Sequence, residues 1–242
     1  MSISSKLTGV AAISLAVVFN LPYGYLAQNF GYPDILRQPS GEVLAAFAAG
    51  GQGLIWAWYV FGLSVLAFVP LAIALSLTPD RLRRSAAVAV GAALAGALAG
   101  LVQGMGLLRW VFVVPILAQD PQSVIAQHQF DLMNAYAGVT VGEHMGQIFT
   151  GLFVGLVAVL QWQERKHWVA TIGGLTTALM LAGSGGGLVL ALGRSDELFS
   201  LFSITAYLAL TLWLIVTGLG LVVAKRSPNR NRSSTPGAVT YG

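Results

Sequence analysis

Six transmembrane helices in one all-α bundle, with short interfacial helices on its outer face, are what this sequence specifies. Composition, the lengths of the apolar runs and the alternation of basic loops all lead there. Of the 242 residues, 56% are hydrophobic and only 9% charged, where a soluble domain carries roughly 25% charged residues. The mean hydropathy is +0.74. A chain this poor in charge cannot cover a water-facing surface, so most of its surface must face lipid. Crossing a bilayer core of ~30 Å takes about 20 apolar helical residues, and six runs qualify.

The first run is Leu7–Ala27. Lys6 ahead of it imitates a signal peptide, but Asn20–Ala27 offers no small-x-small cleavage site, so an uncleaved span is expected. Residues 28–51 then hold Tyr32-Pro33-Asp34-Ile35-Leu36-Arg37 and a short apolar helix, Glu42–Ala49. The second span is Gln52–Leu77, and the tight loop Thr78–Arg84 returns the chain to the third, Ser85–Leu108. Residues 109–138 form a long connection whose segment Val124–Tyr136 is amphipathic, with Gln127, Asp131 and Asn134 on one face. It is expected to lie along the interface or cap the bundle. The fourth, fifth and sixth spans are Val139–Leu160, Trp168–Leu192 and Leu198–Val223. Residues 1–224 thus read as one domain, followed by a disordered basic tail at 225–242.

Ten of the thirteen basic residues fall on the side of the bundle that also holds the termini. They are Lys6, Arg81, Arg83, Arg84, Arg165, Lys166, Lys225, Arg226, Arg230 and Arg232. Only Arg37, Arg109 and Arg194 fall on the other side, with most of the acids. Basic loops stay inside, so both termini are expected in the cytoplasm and the two long connections outside. The net charge of +4 therefore marks topology and gives no reason to expect nucleic acid. With no cysteine, disulfides and thiol chemistry are excluded.

Glycines recur every fourth residue at Gly96, Gly100 and Gly104, and again at Gly138, Gly142 and Gly146. Small residues at that spacing let helix backbones approach closely, within the chain or between two copies. Gly183-Ser184-Gly185-Gly186-Gly187 invites a kink in the fifth span, as do Pro22 and Pro70 elsewhere. Trp56, Trp58 and Trp110 read as one aromatic belt, Trp162 and Trp168 as the other.

Charge inside a span is costly and marks a candidate site. On a helical wheel the fourth span collects Tyr136, Thr140, Glu143, His144, Gln147 and Thr150 in one arc, opposite its glycines. Counting back from Trp162 places Glu143 near the outer edge of the hydrocarbon, level with Arg109, so the two are expected to pair. Asn20, Tyr23 and Tyr25 of the first span and Gln103 of the third are placed around the same cavity. The cluster reads first as a structural clamp, then as a ligand, lipid-headgroup or proton site. As a metal or haem site it is weak: His128, Glu143 and His144 are the only candidate ligands, and no His-x-x-x-His pair exists. No cofactor is expected. No nucleophile elbow, His-Glu-x-x-His or phosphate loop occurs, which argues against an enzyme.

The segments Tyr32–Arg37, Leu108-Arg109-Trp110-Val111-Phe112-Val113-Val114-Pro115 and Gly142-Glu143-His144-Met145-Gly146-Gln147-Ile148-Phe149-Thr150-Gly151 resemble a bacterial multi-pass membrane family catalogued only as a domain of unknown function. The resemblance spans most of residues 7–223. It implies a protein of the bacterial inner membrane with no assigned activity, and Arg109, Glu143, His144 and Gln147 as a shared polar centre. The expected role is that of an accessory protein. It would bind a lipid, another membrane protein or a second copy at its outer face, through the polar cluster on the third and fourth spans. A small-solute or proton-coupled carrier, and a haem- or metal-binding redox or sensor protein, are the alternatives.

Overall fold

Hydrocarbon offers a backbone no hydrogen-bond partners, so each apolar run must satisfy its own peptide groups as a helix. The computed structural model, which describes residues 3–223, does this with eight α-helices: α1 (Ile3–Phe30), α2 (Ser40–Ser76), α3 (Pro79–Phe112), α4 (Val114–Leu117), α5 (Val124–Met133), α6 (Gly146–Gln163), α7 (His167–Ala191) and α8 (Glu197–Val223). A 3-10 turn at Asp34–Arg37 and a π-helical segment at Asn134–Met145 complete it. Six helical stretches are long and apolar enough to cross a membrane. The chain is an all-α, multi-pass membrane protein. The tail at 225–242 lies outside the described residues.

Two helices run past the expected spans and break where those spans were expected to begin. Gly51 takes φ +58°, which only glycine adopts cheaply, and separates the short helix from the second span. Ser85 takes φ −153° and ψ 59°, and separates the first turns of α3 from its span. Those first turns start as a helix should: Pro79 stands where a missing N–H costs nothing, and the Thr78 hydroxyl accepts from Arg81 N at 3.4 Å.

The helices close into a ring in the order α1, α2, α3, α6, α7, α8 and back to α1. In the half nearest the termini every member contributes to one core around Phe68, Phe153, Met180 and Trp213. In the other half the ring divides. On one side α1, α2, α3 and their connections pack an aromatic core around Phe30, Phe47, Trp58 and Trp110. On the other stand the π segment, α7 and the start of α8. Trp58 and Trp110 stack at 4.9 Å and 9°, both almost wholly buried. Neither belongs to an aromatic belt, in contrast to the exposed Trp56, Trp162 and Trp168. Hydropathy locates a tryptophan along a helix but not around it.

The segment 124–136 departs from the expected surface cap. α5 runs through the π segment into α6 as one 40-residue stretch, Val124–Gln163. Its apolar side chains Ile125, Leu132 and Tyr136 point outward, and Asn134 points in toward Arg109. Gly100 lies against Val65 and Val69 of α2, and Gly142 against Gly106 of α3.

Candidate functional site

Where the two sides of the divided half face each other, they leave a cavity of about 250 Å³. Its α1–α3 wall carries Phe19, Asn20, Tyr23, Trp58, Phe61, Gln103, Arg109 and Trp110. The facing wall carries Glu143, His144, Gln147, Ser184, Ser203 and Tyr207. Mostly apolar walls with a few convergent polar groups are typical of small-molecule sites, although the volume lies just under their usual ~300–1,000 Å³.

Hydrogen bonds between helices form the floor. Tyr207 donates to Gln103 Oε1 at 2.9 Å, and Gln103 Nε2 donates to Thr150 at 2.9 Å. Asn20 donates to Thr211 at 3.0 Å, and Gln147 to Ser203 at 3.0 Å. Each removes a polar group from an apolar surround, and together they tie α1, α3 and α6 to α8 over about two turns of that helix.

Arg37 spans the mouth. Its Nη2 donates to Asp196 Oδ2 at 2.8 Å and its Nε to the same oxygen at 3.2 Å, a fork onto one carboxylate. Nη2 also reaches Glu143 Oε2 at 3.4 Å. One guanidinium thus joins the α1–α2 connection to the π segment and to the α7–α8 connection. Burial pulls the Arg37 pKa down, but the Glu143 charge and the bonds and charge of Asp196 outweigh it, leaving the group above its ordinary value. Nearby, burial and then the Glu143 charge push the Tyr32 hydroxyl up, so it stays a neutral phenol.

Arg109 has a different environment. It is 7% exposed and lines the cavity. Nη1 donates to Gly106 O and Nη2 to Asn134 Oδ1 at 2.9 Å, both uncharged acceptors. Its guanidinium lies 5.2 Å from the Trp110 ring centre. Among the described residues no carboxylate lies within ion-pair distance of it.

The expected Arg109–Glu143 pair is therefore absent, and register explains why. Gly106 and Gly142 touch backbone to backbone between helices running in opposite directions. Three residues beyond Gly106, Arg109 meets Gly138 and Asn134, while Glu143 lies on the other side of the crossing. A second departure concerns Tyr136 and Thr140. Tyr136 is 66% exposed, and Thr140 bonds back to Ala135 O five residues earlier, so neither lines the cavity. A wheel drawn at α-helical pitch cannot place them, because the π segment bonds i to i+5 and takes more residues per turn. The other six expected cluster residues, Asn20, Gln103, Arg109, Glu143, His144 and Gln147, all line the cavity.

Tyr23 also lines it, whereas Tyr25 does not. His144 Nδ1 lies 2.7 Å from Ser184 O, a carbonyl that can only accept, so that nitrogen carries a proton and donates it. His128 is exposed on α5, away from His144. Among the described residues no three His, Cys, Asp or Glu side chains gather to hold a metal. Sequence reasoning did not single out Arg37, Asp196, Trp58, Ser203 or Tyr207. The available signal for Arg37 and Asp196 was charge: acids outnumber bases in the outer connections, although of the two bases in the long ones only Arg37 meets a carboxylate and Arg109 does not.

A family model described as a domain of unknown function, DUF4386, matches residues 7–218. No curated protein and no solved structure matches the chain. The matched stretch reaches into all six spans and includes every residue of the cavity wall, and the chain belongs to the DUF4386 family.

Proposed function

We propose that this protein is a binding protein of the bacterial cytoplasmic membrane, accessory in role, that takes a small amphiphile or lipid headgroup into the cavity from the outer face. Both termini lie in the cytoplasm in this reading, which places Arg37 and the cavity mouth outside. The observation that carries it is the division of the bundle. Helices tied into one core at one end separate at the other around a pocket with aromatic and polar walls. A bundle needing only stability would close that gap, since packing supplies most of the association energy in lipid.

Binding is read from Trp58 and Trp110 on the cavity wall. Replacing exposed Trp56, Trp162 and Trp168 with phenylalanine leaves those two and Trp213, a residue of the other core. A brominated single-chain amphiphile should quench this protein saturably in nanodiscs. Quenching that climbs linearly with bromolipid would reflect bulk partitioning and sink the reading. The lack of native cysteine makes orientation directly testable. A membrane-impermeant maleimide should label Gln119→Cys in intact cells and Asp80→Cys only after lysis; the reverse pattern would invert the topology.

Arg37→Ala should loosen the mouth. It leaves Glu143 and Asp196 without their shared cation, and Asp196 is largely buried. Because Arg37 is about one-third exposed, the expected loss is modest, roughly 1–2 kcal/mol. Hydrogen exchange should rise selectively at residues 31–38 and 193–198. A uniform rise along the chain would show that the bridge does not act locally.

A further inference from the structure

We propose that the cavity seats the oxyanion end of an amphiphile, a carboxylate or a phosphate ester, on Arg109, with the apolar body leaving between α1 and α8. This rests on the binding-protein reading above and names its ligand class. The charges around the cavity are unevenly matched. Arg37 holds both carboxylates of the mouth, Asp196 and Glu143. Arg109, the other cation of the wall, has only neutral acceptors. Glu143 acts on Arg109 only at a distance and is held by Arg37, and a buried charge with no countercharge in contact is costly, so the wall carries a cation suited to an anion from outside the chain.

Two donors of residues in that wall, Arg109 Nε and Trp58 Nε1, are buried behind its surface without a partner among the described residues. Buried polar groups are nearly always bonded, and exceptions call for a cause. The Trp110 ring beside Arg109 suits a guanidinium whose remaining donors serve a planar or tetrahedral oxyanion. The route for the body is apolar. Ile204 and Leu208 of α8 line the cavity and are also exposed on the bundle surface, so the pocket reaches the lipid-facing side there. Phe19 and Tyr23 of α1 form the other edge.

The test uses the full chain with Trp56, Trp162 and Trp168 as phenylalanine, in nanodiscs of phosphatidylcholine. Three brominated probes share one chain and differ in headgroup: carboxylate, phosphate monoester and alcohol. The two anions should saturate at about tenfold lower concentration than the alcohol, or less. Arg109→Gln should remove that preference, so that the anions bind no better than the alcohol, and Arg109→Lys should keep part of it. Equal affinity for all three probes in the parent protein would overturn the oxyanion seat and leave the binding-protein reading standing. Absence of saturation for every probe would bring down both. The headgroup comparison in the parent protein decides the matter even if Arg109→Gln fails to fold. Inorganic phosphate and acetate then identify the source. Displacement of the bound anion by either supports the seat with a water-soluble ligand, and a retained preference without displacement supports it with a ligand from the bilayer.

Discussion

Valine in place of Gly106 should cost the protein about 3 kcal/mol or more, the upper end of what overpacking costs. A Cβ there would lie 2.7 Å from Gly142 Cα and 3.0 Å from Ala137 O. Both are backbone atoms, so no rotamer change relieves the clash, and α3 must part from the π segment. The expected fall in thermal midpoint is roughly 6–12 °C for a chain of this size. The same displacement moves Glu143 and His144 relative to Arg109, so amphiphile binding should be lost in the fraction that folds. Gly24→Ala is the matched control, since a Cβ there meets nothing within 4 Å. A Gly106→Val protein melting within about 2 °C of the parent would mean the two backbones are not in contact.

Arg81→Ala should be nearly as damaging at the opposite end. Arg81 is 7% exposed, donates to Glu164 Oε1 at 2.5 Å and also to Leu75 O. It thereby ties the end of α2 and the start of α3 to the α6–α7 connection. Removing it strands the Leu75 carbonyl and leaves a partly buried carboxylate with only Lys166 as partner, a loss of roughly 2–3 kcal/mol. Arg81→Met with Glu164→Leu should recover much of it, because the loss comes from stranding one partner. The pair also gives stability a pH dependence. Burial raises the Glu164 pKa, but the bond and charge of Arg81, then those of Lys166, bring it below its ordinary 4.5. A depressed carboxylate stabilises the fold above its unfolded pKa and loses that contribution as pH falls through the folded value. The thermal midpoint of the parent should therefore drop below about pH 4.5. The Arg81→Met/Glu164→Leu protein should show a smaller drop, and identical pH profiles would assign the acid sensitivity to another group.

Legibility followed the kind of force involved. Hydropathy over 20 residues is a local property, so the six spans could be placed from composition alone, whereas the expected loop at Thr78–Arg84 is the helical start of α3 up to a break at Ser85. The polar residues of the fourth span were legible as a group for the same reason. Their partners were not. Trp58 looks like a belt residue in sequence and is a core residue in space, since nothing local tells which side of a helix faces a neighbour. Tyr136 and Thr140 were misplaced because the pitch of the segment changes, and the sequence shows no signal for π hydrogen bonding beyond its glycines.

What the sequence determined by itself is a charge-poor, all-helical membrane protein with its few intramembrane polar groups gathered toward one end. That follows from the cost of putting peptide groups and charges into hydrocarbon, which is paid residue by residue. Only the tertiary structure decided which charges meet. The antiparallel crossing at Gly106 and Gly142 carries Arg109 past Glu143, and the α1–α2 connection brings Arg37 to Glu143 and Asp196. Pairing across 106 and 159 residues of chain depends on register and loop path. Those are properties of the packed bundle, and no window of sequence contains them.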